Sequence, residues 1–225
     1  MPKLTADNML PLVEFYNKLL EEVYHEHDTD ITKTVIDNVL PIYVKNHMSG
    51  MPLDSKILDL GCGSGYALEK FRELGYTNLQ GLTFNKEDQA ALDSKGFPYI
   101  SVDFNFSGIE EEFDVIWMRQ VLEHSPFPFY TLTQLNKMLK PGGKMYIETP
   151  APNNPLVLEH WPNHYSVMGK KMFVSLMLRS GFDVIDTELT GKANTVDGNE
   201  RLIHVHIYYL TKIGEPAIHI DKISK

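Results

Sequence analysis

One cysteine, Cys62, stands in 225 residues, so no internal disulfide can form and a reducing compartment, the cytoplasm, is the expected location. No apolar run approaches the ~20 residues that span a bilayer. The first residues, MPKLTADNML, lack a basic start followed by an apolar core, so no secretory signal is expected. Positive charge is scarce: 21 Lys and Arg face 30 Asp and Glu, a formal net charge of −9. That balance argues against a broad electrostatic grip on nucleic acid or anionic lipid. Lys170, Lys171 and Arg179 form only a modest basic group, which reads as a solvated helix face. Internal repeats are missing, as is a phosphate loop ending in Gly-Lys-Ser/Thr. His160 and His164 lie four apart but form no His-Glu-x-x-His pattern, so no metal is expected.

What remains is an ordinary globular composition, 43% hydrophobic, in a length suited to a single domain over 1–225. Residues 5–25 and 31–48 carry apolar side chains at helical spacing, the second run broken or kinked at Pro41. They read as a helical cap over 1–50. From KILDL onward, short apolar strands alternate with helices: NLQGLT, FPYISVD, EFDVIWM and GKMYIET, with helices after the first two and across 129–139. A helix over 169–180 precedes FDVIDTEL and RLIHVHIYYLT, two strands joined by a loop, one of which should run antiparallel. The pattern predicts an α/β fold: a doubly wound, seven-stranded, mostly parallel sheet, Rossmann-like, with a cofactor half at 51–150 and a substrate side at 151–225.

Ligands of such sheets sit beyond the carboxyl ends of the strands. There KILDL runs into Gly61, Cys62, Gly63, Ser64 and Gly65, a turn that lets backbone N–H groups approach a ligand without an intervening Cβ. A dinucleotide fingerprint needs a sixth-position glycine and an acid about 20 residues on; this chain has Tyr66 and, at the end of the second strand, Thr83. A plain tight turn is the other reading of the glycines alone.

Four segments in order carry a more specific likeness. "LDLGCGSG", "FDVIWMRQVLEH", "LNKMLKPGGKMYIETP" and "YSVMGKKMFVSLMLRSGFDV" together resemble the class I S-adenosylmethionine-dependent methyltransferases, best over about residues 55–150. The resemblance implies S-adenosyl-L-methionine as cofactor and S-adenosyl-L-homocysteine as product. It places Asp59 near the cofactor's amino acid end, with Gly61, Cys62, Gly63, Ser64 and Gly65 lining it. Asp103 would accept from the adenine amine, Phe104 would lie beside the ring, and Arg119 and Gln120 would sit near the methionine half. The second strand departs from the family, which usually has an acid where this chain has Thr83. Thr83 and Phe84 remain candidates, with Asp88 or Gln89 reaching back.

Methyl transfer needs positioning above all, and a base only when the nucleophile carries a proton. His124 is the candidate base, with a helix-end structural role as the alternative. His160, Trp161, His164 and Tyr165 on the proline-rich 150–167 loop would shape the acceptor pocket. His204 and His206 share one strand face and read as surface or packing residues. The expectation is methylation, O- or N- before C-, of a small or medium-sized molecule. The rivals are a catalytically idle binding module of the same fold and a dinucleotide-dependent oxidoreductase.

Overall fold

The computed structural model of the chain describes residues 5–21, 30–153, 163–194 and 200–218. Two helices, α1 (Ala6–Glu21) and α2 (Asp30–His47), precede β1 (Lys56–Leu60), α3 (Tyr66–Glu73), β2 (Asn78–Leu82), α4 (Lys86–Lys95) and β3 (Tyr99–Ile100). Then come β4 (Phe113–Arg119), α5 (Pro128–Lys137), β5 (Leu139–Pro150), α6 (Lys170–Arg179), β6 (Phe182–Asn194) and β7 (Glu200–Lys212). The seven strands form one sheet in the order β3-β2-β1-β4-β5-β7-β6. The strand order reverses between β1 and β4, which makes their carboxyl ends the switch point. The expected antiparallel strand is β7, which runs against both β5 and β6.

Alternation along the central strands feeds two cores. Leu58, Leu60, Ile116 and Ile147 pack with Leu132 and Leu135 of α5 and Phe173 and Met177 of α6. Ile57, Val115, Trp117 and Tyr146 turn to the other face, against Leu40 and Tyr43 of α2 and Leu68 and Phe71 of α3. Trp117 stacks on Tyr146 with ring centroids 3.9 Å apart, and Tyr43 meets Tyr146 edge-on at 5.4 Å. That aromatic seam explains why α2 continues through Pro41: buried Leu40 and Tyr43 flank the proline and anchor both sides of it.

Three strands differ clearly in extent from the sequence expectation, and one of them, β6, runs beyond FDVIDTEL to Asn194. FPYISVD contributes only Tyr99 and Ile100, which pair with β2 at the sheet edge and have no second neighbour to extend them. The strand expected at GKMYIET starts earlier, at Leu139, with a register shift between Phe113 and Val115 that absorbs the Lys-Pro-Gly-Gly segment. No described helix is long and apolar enough to cross a membrane.

Candidate cofactor and acceptor site

The glycine turn hangs from β2. Gly61 N–H donates to the Leu82 carbonyl at 2.9 Å, Cys62 N–H to the same oxygen at 3.3 Å, and Gly65 N–H to the Cys62 carbonyl at 2.9 Å. The turn needs φ values of 71°, 50° and 89° at Gly61, Gly63 and Gly65, all left-handed. Gly65 also opens α3 where a Cβ would lie 2.8 Å from Leu92 of α4, so its bare backbone lets the two helices approach. Cys62 is buried against Gly81, whose hypothetical Cβ would stand 2.7 Å from the Cys62 sulfur. Burial first, then the charges of Asp59 and Asp88, push the Cys62 thiol well above its usual range, so it stays protonated and packs. Asp59 is buried on β1 beside this turn, and the Ser64 carbonyl accepts from Lys95 Nζ at 2.8 Å.

The end of β2 recovers the acid that its own sequence lacks. Thr83 is buried and its hydroxyl donates to Asp88 Oδ2 at 3.1 Å. Asp88 stands in the first turn of α4, which Asn85 caps by accepting from Glu87 N–H at 2.7 Å. Gln89 Nε2 donates to the Thr83 carbonyl at 3.2 Å and to Ser101 Oγ at 2.8 Å. Phe84 stays partly exposed beside them.

Asp103 follows β3. The Tyr16 hydroxyl of α1 donates to its Oδ1 at 2.8 Å, and Asn105 N–H reaches the same oxygen at 3.0 Å. Phe104 is no exposed partner for an aromatic ligand: it is buried in the α5–α6 core with Leu60, Leu82 and Leu122. The exposed ring is Phe106, which meets Tyr16 edge-on at 4.8 Å and Tyr130 at 5.5 Å.

At the end of β4, Arg119 and Gln120 turn toward β5. Arg119 Nε lies 3.0 Å from Glu148 Oε1, an ion pair whose N–H direction falls short of a hydrogen bond. Gln120 Nε2 donates to the same oxygen at 2.9 Å, and Tyr146 OH donates to Glu148 Oε2 at 2.7 Å. Glu148 is buried, and Gln120 has φ 54°, the only left-handed residue other than glycine among those described.

The chain then makes a 3-10 turn, Leu122–His124. His124 Nδ1 lies 3.2 Å from the Asn163 carbonyl and its ring meets His164 at 4.7 Å. Ligand atoms of buried Glu123, His124 and His164 fall within 4.8 Å of one another, close enough to hold a cation. Tyr165 is exposed at the same rim, while His160 and Trp161 lie outside the described residues. A cavity of about 490 Å³ is lined by Ala151, Lys170, Lys171, Glu188, His204 and His206. On the solvated face of α6, Lys170 pairs with Asp186 and Glu188, each at 3.0 Å.

A family model for a methyltransferase domain matches residues 30–187. The chain belongs to that family. Methyltransferase-domain membership makes S-adenosyl-L-methionine its cofactor and S-adenosyl-L-homocysteine the product. Among curated proteins, a ubiquinone biosynthesis O-methyltransferase of Nitrosococcus oceani is 30% identical over 115 residues, 48% of each chain. A protein of the same name from Psychrobacter cryohalolentis is 26% identical over 180 residues, 74% of this chain and 68% of that one. The chain thus spans about half the length of the first of these relatives. Among solved structures, the N-methyltransferase NodS of Bradyrhizobium japonicum WM9, in complex with S-adenosyl-L-homocysteine, superposes with a TM-score of 0.63 at 15% identity, covering 88% of this chain and 97% of that one. At that identity the likeness concerns the fold.

The residues of this methyltransferase-domain chain fit such a cofactor. Asp59, the Thr83–Asp88 pair and Asp103 stand at or just beyond the carboxyl ends of β1, β2 and β3, which are neighbours. Carboxylate acceptors therefore succeed one another across roughly 10 Å of sheet edge, two strand spacings. Three carboxylates in that row would repel a pyrophosphate. Glu148 and Tyr16 were missed by sequence reasoning. An acid inside the apolar run MYIET is a usable signal for the first; nothing in the α1 sequence marks the second.

Proposed function

We propose that this chain transfers a methyl group from S-adenosyl-L-methionine to a small or medium-sized acceptor in the cytoplasm, with O-methylation favoured over N-methylation. The row of carboxylates across β1, β2 and β3 carries the reading. The O-methyltransferase names of the curated relatives support the choice of nucleophile. In this reading one domain over 1–225 has the 1–50 cap covering the cofactor half, and the 151–225 side receives the acceptor.

The cofactor, when bound, supplies an electrophilic methyl on a sulfonium. The protein's part is to bind and orient. Asp59 takes the ammonium, with Gly61, Cys62, Gly63, Ser64 and Gly65 presenting backbone to it. Thr83 and Asp88 take the ribose hydroxyls, beside Phe84. Asp103 takes the adenine amine. Arg119 and Gln120 set the floor near the methionine half, both held in place by Glu148. His124, with His164 and Tyr165 at the acceptor rim, removes the proton from an acceptor hydroxyl. Its Nδ1–H, donated to the Asn163 carbonyl, leaves Nε2 as the basic nitrogen.

Calorimetric titration tests the assignment. Micromolar binding of S-adenosyl-L-methionine and S-adenosyl-L-homocysteine is expected, with no heat from a nicotinamide dinucleotide; silence from both sulfur compounds in folded protein would overturn it. Binding without turnover across a broad acceptor panel would favour the idle binding module instead. Ala in place of His124 is expected to cut turnover by ~10²-fold at unchanged cofactor affinity. A lower melting temperature with normal turnover would make His124 a structural residue.

A further inference from the structure

We propose that Tyr16, on the N-terminal helix, is a positioning residue of the cofactor site: its hydroxyl fixes the Asp103 carboxylate so that Oδ2 alone faces the adenine amine. This rests on the assignment of Asp103 above. Both contacts to that carboxylate, from Tyr16 OH at 2.8 Å and from Asn105 N–H at 3.0 Å, land on Oδ1. Oδ2 receives no hydrogen bond from the described residues and stays open to an incoming donor.

Tyr16 is itself held in one role. Asn105 Nδ2 donates to its oxygen at 2.8 Å, so the phenol accepts there and its single hydrogen is committed to Asp103. Burial, then the Asp103 charge, raises the phenol far above its usual range and keeps that hydrogen in place. Asn105 is fixed in turn, because its Oδ1 accepts from Thr131 Oγ1 at 2.8 Å, which lies 2.8 Å from Ser125 Oγ. Ser125 accepts from Phe127 N–H at 3.0 Å, and its carbonyl accepts from Ser166 Oγ. Asn105, Thr131, Ser125 and Ser166 are all buried, so each hydrogen bond is costly to break. The chain of contacts ends beside His124, since Ser166 N–H donates to the Glu123 carbonyl at 2.9 Å.

Tyr16 is also the one buried side chain among those described on α1, where Leu10, Leu12, Val13 and Phe15 are exposed. Its ring lies edge-on to Phe106 at 4.8 Å and tilted to Phe127 at 6.4 Å. The helix is therefore pinned over the adenine end through this residue, and the cap thereby selects the base. A carboxylate held with one open oxygen accepts an exocyclic amine and repels the carbonyl that replaces it in hypoxanthine.

The test compares S-adenosylhomocysteine with S-inosylhomocysteine, its hypoxanthine counterpart, by calorimetry on the full chain and on Tyr16→Phe. The wild-type protein is expected to prefer the adenine compound by about tenfold or more, the scale of one well-placed hydrogen bond to a charged acceptor. In Tyr16→Phe that preference should shrink several-fold, through weaker binding of the adenine compound with little change for the other. A merely structural tyrosine would weaken both compounds alike and leave their ratio unchanged, and that result would overturn the proposal. Equal wild-type affinity for the two would also overturn it. Failure of the wild-type chain to bind either compound would instead strike the assignment of the cofactor site itself. Thr131→Val provides a second variant, which disturbs Asn105 without touching Asp103 and should reduce the ratio in the same direction; an unchanged ratio there too would confine Asn105 to a packing role and count against the proposal.

Discussion

Valine in place of Gly63 abolishes S-adenosyl-L-homocysteine binding, by an expected 10²-fold or more (about the cost of forcing a branched side chain into a close contact). Gly63 is the centre of a turn whose two ends are immobile: Gly61 is tied to the Leu82 carbonyl and Gly65 opens α3 against Leu92. The backbone cannot retreat from a new Cβ on either side. The substitution also meets φ 50°, where an L side chain costs about 1–2 kcal/mol. The protein should therefore stay folded but melt a few degrees lower, at ~2–4 °C per kcal/mol for a domain of this size. Calorimetry and a circular dichroism melt on the same sample separate the two effects. Unchanged affinity would remove the glycine turn from the site.

Loss of Glu148 is expected to have the largest effect on stability. Its carboxylate is 1% exposed and serves Arg119, Gln120 and Tyr146 together. Glu148→Ala leaves the Arg119 guanidinium, itself only 17% exposed, without its counter-charge. Breaking a buried pair from one side costs about 3–5 kcal/mol. Arg119 keeps some contact with water, so the lower part of that range is expected. The same reasoning predicts that Arg119→Met combined with Glu148→Leu recovers the part of the loss due to the stranded charge, while the buried Tyr146 hydroxyl, still without its acceptor, keeps a residual cost of about 1–3 kcal/mol. A single-variant cost below about 1 kcal/mol by urea titration, the range of exposed pairs, would show that Arg119 swings to solvent.

How much of the fold and site is legible in the chain follows from the range over which each signal acts. Strand and helix order, the glycine turn and the single antiparallel strand depend on local periodicity and turn chemistry, and all are visible in the sequence. The helix does not stop and restart at Pro41, because Tyr43 packs on Trp117 and Tyr146, residues far along the sequence, and tertiary packing carries α2 through a local breaker. Phe104 is expected beside the adenine ring because the family resemblance carries that role to the residue after Asp103. Its 3-10 turn, capped by Asp103, rotates it into the core and leaves Phe106 outside. Thr83 looks like a missing acid because the compensating Asp88 comes from the next helix, five positions on. Tyr16 contacts a residue 87 positions away, and no local pattern encodes such a pairing.

The strand order has a consequence for synthesis. One edge of β5 is covered by β4, already made, and the other only by β7. β5 ends at residue 150 and β7 begins at 200, so about 50 residues separate them. At ~5–20 residues per second, a nascent chain holds that edge unpaired for roughly 3–10 s. During that interval Met145, Tyr146 and Ile147 lie on a strand with a free row of backbone donors and acceptors, the condition in which strands pair with the wrong neighbour. Chaperone capture of stalled chains should therefore be strongest for those that end between β5 and β7.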